Sequence, residues 1–171
     1  MKKTLRLEFL LTLAQFLAAS KYNKMQVSDR TVVLVNLRKL RDLKKEFDKE
    51  MKQAGQDLMP DGYKDRLDAN LKIEQEAAKE FGKIDSREKE KEFVENLKNT
   101  YPDYALFIEE RNKYIAECDK VLKERASKEV EIDIDKLTEK GFEALMSSND
   151  WNFDQAEMMH DFLCVEDDNE E

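Results

Sequence analysis

His160 is the only histidine in this 171-residue chain, and other potential ligands flank it. Glu157, His160, Asp161 and Cys164 follow the i, i+3, i+4, i+7 spacing, so a helix would put all four on one face. Carboxylate, imidazole and thiolate together are donors of the kind that hold zinc. A second description fits the same segment. Met158, Met159, Phe162, Leu163 and Cys164 form an apolar stripe that anchors a helix and turns His160 and the acids toward solvent. A structural zinc centre draws on several Cys or His ligands, and the chain has no second histidine and no CxxC pair. The segment is therefore read as a packed helix, with no metal and no cofactor expected.

No other pattern supplies a reaction centre. There is no Gly-rich phosphate loop and no serine at a nucleophile elbow. Carboxylates are abundant, but acid–base catalysis needs one whose proton affinity is perturbed in a pocket. Tyr101, Tyr104, Phe107 and Tyr114 recur at helical spacing, which indicates core packing rather than a stacking surface. The chain is read as non-enzymatic, without catalytic residues.

The elements that carry these residues are mostly helical. Charged residues make up 40% of the chain, with only 4 Gly and 2 Pro, a composition suited to long amphipathic helices. Nine Phe and five Tyr supply a core and argue against general disorder. Residues 4–9 and 129–134 alternate apolar and polar, as strands do; each lacks another partner, so they are expected to pair. Helices are expected from Leu10 to Tyr22, over 28–54 with Val33, Leu37, Leu40, Phe47 and Met51 as its stripe, over 64–81, and over 85–100. A further helix begins at Pro102-Asp103 and carries a stripe from Tyr104 through Ile108, Tyr114, Ile115 and Cys118 to Leu122. Two short helices follow, over 137–146 and 154–164, the latter with Asp154 and Glu157 at capping-box spacing. The fold class expected is mainly α: an antiparallel helical bundle or long helical hairpin with a small two-stranded β ribbon. A single domain over 1–165 is expected, with a charged insertion at 56–100 and a disordered acidic tail at 166–171.

Charge is unevenly divided. Residues 1–50 carry twelve Lys/Arg against six Asp/Glu, whereas the rest is acidic enough to bring the net charge to -9. Such a split speaks of partners or self-association rather than chemistry. Arg38, Lys39, Arg41 and Lys45 are the candidate basic contacts. Glu88, Glu92 and Glu95 are the acidic ones, and Trp151, the only tryptophan, sits in a turn. The expected partner is a protein, viral or host, or a second copy joined head to tail. Net negative charge disfavours direct nucleic-acid binding, and no segment has the apolar length to span a membrane. Cys118 and Cys164 read as free thiols in a reducing cytoplasm. The segment Phe9–Ala19 superficially suggests a secretory leader, but Arg6, Glu8 and Gln15 interrupt it and its apolar phase continues as a helix.

The layout resembles small uncharacterised proteins encoded by bacterial viruses and prophages. The resemblance rests on a short N-terminal strand leading into Leu11-Thr12-Leu13-Ala14-Gln15 and a long Lys/Leu-rich helix. A charged middle, the late strand Val130-Glu131-Ile132-Asp133-Ile134 and a short acidic helical close complete it. It implies a viral or prophage origin and a non-catalytic role, as an assembly factor or virion component, in the host cytoplasm or the virion. An anti-defence inhibitor that blocks a nucleic-acid-binding protein by acidic mimicry is the alternative.

Overall fold

Period-two patterning in two segments far apart in sequence produces the only sheet among the described residues. β1 (Lys2–Arg6) pairs antiparallel with β2 (Glu129–Asp133), with Lys2 opposite Asp133 and Arg6 opposite Glu129. This is seen in a computed structural model of the chain, which describes residues 1–166. The first strand ends earlier than the expected 4–9 because the pattern switches period at Leu7. There the Leu7 amide donates to the Lys128 carbonyl at 2.9 Å. Leu7, Leu10, Leu13, Ala14 and Leu17 then bury one stripe of α1 (Leu7–Ala19).

The remaining helices are α2 (Val27–Asp57), α3 (Tyr63–Phe81), α4 (Arg87–Thr100), α5 (Pro102–Ala126), α6 (Glu139–Met146) and α7 (Phe153–Leu163). The chain is thus mainly helical with one small antiparallel ribbon, the class its sequence implies. Caps set several of the boundaries. Ser86 accepts the Lys89 amide at the start of α4, and Thr138 accepts the Gly141 amide at the start of α6. For α7 the capping box is Asn152–Gln155, not Asp154–Glu157; the helix begins before Asp154, so that residue falls in the first turn instead of at the cap. Gly62 and Gly82, at φ 68 and 89, bracket α3 in conformations that favour glycine.

The described chain divides into two compact units, and the divisions fall within α2 and within α5. Unit 1 takes Met1–Glu50 and the chain from Leu122 onward; unit 2 is Met51–Val121. The core of unit 1 is formed by Leu10, Leu13, Leu17, Val33, Leu37, Leu40, Ile134, Leu145, Met159, Phe162 and Leu163, with further buried neighbours. Each such side chain stabilises the fold by about 1.5–3 kcal/mol. Basic early residues meet acidic late ones here. Lys2 pairs with Glu131 at 3.2 Å, the Met1 amino group with Asp133 at 3.3 Å and Lys39 with Asp135 at 3.2 Å. Two further pairs do not cross the split in that sense: the late base Arg125 pairs with the early acid Glu50, and Lys136 pairs with Glu166 at 3.0 Å within the late segment. Part of the charge split is therefore closed inside unit 1. Of the acidic tail only Glu166 belongs to the described residues.

Unit 2 has the smaller core, built from Tyr63, Phe93, Leu97, Tyr104, Phe107 and Ile108. Phe93 and Leu97 attach the charged helix α4, and Phe81 meets Phe93 edge-on at 5.2 Å. The Tyr104 hydroxyl donates to Glu74 and the Tyr114 hydroxyl to the Gly55 carbonyl, each at 2.7 Å. The α5 stripe expected to be continuous is buried only at its start. Tyr114 and Cys118 are half-buried, and Ile115 and Leu122 are exposed.

Candidate functional site

Unit 2 carries a surface groove of about 520 Å³ between α3 and α5. Ala69 and Ile73 sit one turn apart on α3 and face Leu106 and Phe107 of α5. Phe107 is buried, but Leu106 beside it is 66% exposed, an uncompensated apolar surface. Arg66 forms a bidentate ion pair with Glu110 at 2.9 and 2.7 Å along the same groove. That geometry fixes both side chains in a way a single contact does not. Asn70 is buried and donates to the Arg66 carbonyl at 2.8 Å, which holds this turn of α3. Asp103 lines the groove as well and is exposed; Glu109, next to Glu110 on α5, is exposed outside the lining. Sequence reasoning missed Leu106 because it lies off the Tyr104–Phe107–Ile108 stripe. The signal was present in the run Tyr104-Ala105-Leu106-Phe107-Ile108, which is apolar around the whole helix.

In unit 1 the residues around His160 regroup. His160 lies in the last turn of α7 and Cys164 is the C-cap residue just past it, while Glu139 stands in the first turn of α6. His160 Nε2 is 3.0 and 3.2 Å from the two Glu139 carboxylate oxygens. Glu139, His160 and Cys164 each offer a ligand atom, all within 4.8 Å of one another. On the other side of the ring, Nδ1 is 4.0 Å from Asp161 Oδ1. The Phe142 ring meets the imidazole edge-on at 5.0 Å. Burial pushes the Cys164 thiol up to about 11, and the Glu139 carboxylate adds to the shift. Of the four residues singled out by spacing, His160 and Cys164 belong to this trio, Asp161 stands on the other side of the imidazole, and Glu157 is exposed and apart. Glu139 was hidden from sequence because it is 21 residues away from His160. The apolar anchorage of α7 by Met159, Phe162, Leu163 and Cys164 is as expected.

The other candidate contacts are dispersed. Arg38 and Arg41 are exposed on α2, and Lys45 pairs with Asp42 at 3.1 Å. Lys39 is taken up within unit 1, donating to the Asp133 carbonyl at 2.8 Å and to Asp135. Glu88, Glu92 and Glu95 are exposed on α4. Glu92 and Glu95 edge a shallow hollow over Val94 with Lys91 and Lys98, and Lys98 pairs with Glu95 at 3.6 Å. Trp151 packs against Phe16 and Phe142, with ring centroids 5.1 and 6.4 Å away.

Among the described residues no helix is long and apolar enough to cross a membrane. No protein-family model, curated protein or solved structure matches the chain.

Proposed function

We propose that this chain is a non-catalytic protein–protein interaction protein of the kind bacterial viruses encode, an assembly factor or virion component working in the host cytoplasm or the virion. The observation that carries this reading is the groove of unit 2. It has an apolar floor at Ala69, Ile73, Leu106 and Phe107 and charged groups beside it. An apolar centre with a polar rim is the usual anatomy of a protein interface, and a helix-lined groove suits an amphipathic helix.

Charge selects among such helices. Glu110 is neutralised by Arg66, whereas Asp103 and Glu109 have no ion pair among the described residues. A partner helix with an apolar face edged by Lys or Arg complements this surface. The basic residues of α2 fit the role of docking surface less well, since Lys39 and Lys45 already have acidic partners. Acidic mimicry gains nothing from α4, whose Glu88, Glu90, Glu92 and Glu95 alternate with Arg87, Lys89, Lys91 and Lys98.

A photoreactive side chain placed at position 106, in cells producing the chain, tests the reading. The expected product is a cross-link to a basic-edged amphipathic helix of another protein, lost when Asp103 and Glu109 are changed to Lys. Cross-linking only to a second copy would make the groove a self-association surface. No cross-link at 106, with partner capture unaffected by Leu106→Asp, would remove the groove from the function.

A further inference from the structure

We propose that Glu139, His160 and Cys164 form a binding site for one borderline-soft divalent cation, with zinc as the best fit and a coordination position left open to water. The trio lies in unit 1 and the inference does not rest on the groove of unit 2.

Three observations support it. The first is donor chemistry. A thiolate and an imidazole favour zinc over magnesium or calcium, which prefer all-oxygen shells. Three protein ligands plus water is the arrangement of open zinc sites. The second is geometry. Zinc bonds of about 2.0–2.3 Å place tetrahedral ligand atoms roughly 3.3–3.8 Å apart. His160 Nε2 and Glu139 are already near that spacing, at 3.0 and 3.2 Å. The three ligand atoms lie within 4.8 Å of one another, and the exposed Glu139 side chain is free to adjust.

The third is the support around the ligands. Asp161 Oδ1 stands 4.0 Å from Nδ1, the side on which metal-bound histidines usually meet a carboxylate or carbonyl. Phe142 sits against the ring. The backbone is held too, since the Leu137 amide donates to the Leu163 carbonyl at 2.9 Å and Thr138 caps α6. Both chain segments bearing ligands are therefore positioned before a cation arrives. The Glu139 side chain is 71% exposed, which leaves an approach for the cation and for water. Bound there, the cation would clip the start of α6 to the end of α7.

The test uses the chelator-treated full chain under reducing conditions, titrated with zinc and separately with cobalt(II). One equivalent of zinc should bind and raise the melting temperature. Cobalt should give the thiolate charge-transfer band and the visible bands of a four-coordinate site. Glu139→Gln, at an exposed position that spares the core, should weaken binding about tenfold or more. His160→Ala and Cys164→Ser should abolish the cobalt spectrum, with circular dichroism reporting that each variant is folded. Absence of stoichiometric binding would overturn the proposal. So would binding that Glu139→Gln leaves unchanged and that gives no thiolate–cobalt band, because surface carboxylates would then be the ligands.

Discussion

The side-chain amide of Asn36 and the backbone of Asp135 hold each other in a reciprocal pair of hydrogen bonds. Asn36 Nδ2 donates to the Asp135 carbonyl, and the Asp135 amide donates to Asn36 Oδ1, both at 2.8 Å. Asn36 is fully buried on an otherwise apolar face of α2. It supplies the backbone just beyond β2 with the partners that a third strand would have offered.

Asn36→Ala should therefore be costly. It removes two part-buried hydrogen bonds to the backbone of Asp135, each contributing about 0.5–1.5 kcal/mol net. A loss of about 1–3 kcal/mol is expected, read from the urea midpoint at constant slope. Asn36→Asp should also destabilise, since it loses the donor and buries a charge. An Asn36→Ala midpoint equal to that of the parent would mean that Asp135 finds other partners.

The cap of α7 gives a paired prediction. Asn152→Ala breaks a box in which the Gln155 amide donates to Asn152 and the Asn152 amide donates to Gln155, at 2.9 and 3.1 Å. It should cost about 1 kcal/mol. Asp154→Ala removes only an acid in the first turn, where the helix dipole contributes about 0.3–1 kcal/mol. Thermal unfolding of the two variants ranks them; a larger loss for Asp154→Ala would place the cap where sequence spacing suggested.

Alkaline pH probes unit 2. Burial, and then the Glu74 carboxylate that accepts its hydrogen bond, hold the Tyr104 phenol well above its ordinary value of 10.0, against a smaller opposing pull from Arg111. The folded state thus keeps a proton that the unfolded chain begins to release near pH 10. The associated stability is intact below that pH and declines above it, by up to about 1.4 kcal/mol per pH unit. Tyr104→Phe should cost about 0.5–1.5 kcal/mol at neutral pH through the lost hydrogen bond, and should flatten the alkaline decline. Tyr22 and Tyr114, also shifted upward by burial, should preserve part of it. Denaturant unfolding at several alkaline pH values measures this, and parallel curves for parent and variant would count against it.

Local patterns carried well from sequence to structure. The Val33–Leu37–Leu40 stripe of α2 and the anchorage of α7 by Met159, Phe162, Leu163 and Cys164 depend on neighbours a few residues away, and their outcome could be read directly. The switch from period two to 3.6 was legible as an event but not in place, since it falls at Leu7 and not at Leu10. The helix ends were less legible, because Asn152 and Asp154 both have cap chemistry and only the path of the preceding chain chooses between them.

The sequence by itself determined that the chain is helical, that its first and last strands would seek each other, and that its charge is polarised. These follow from periodicity and composition, which are short-range or additive properties. Tertiary structure alone decided where the polarised charge goes. It places Lys2, Lys39 and the Met1 amino group against Glu131, Asp135 and Asp133, so an asymmetry that suggested an outside partner is partly neutralised within unit 1. Tertiary structure also decided that Leu106 would stay uncovered and that Glu139 would join His160 and Cys164. The physical reason is the same in each case. Which distant residues become neighbours depends on how whole helices pack, and spacing along a single helix does not encode that.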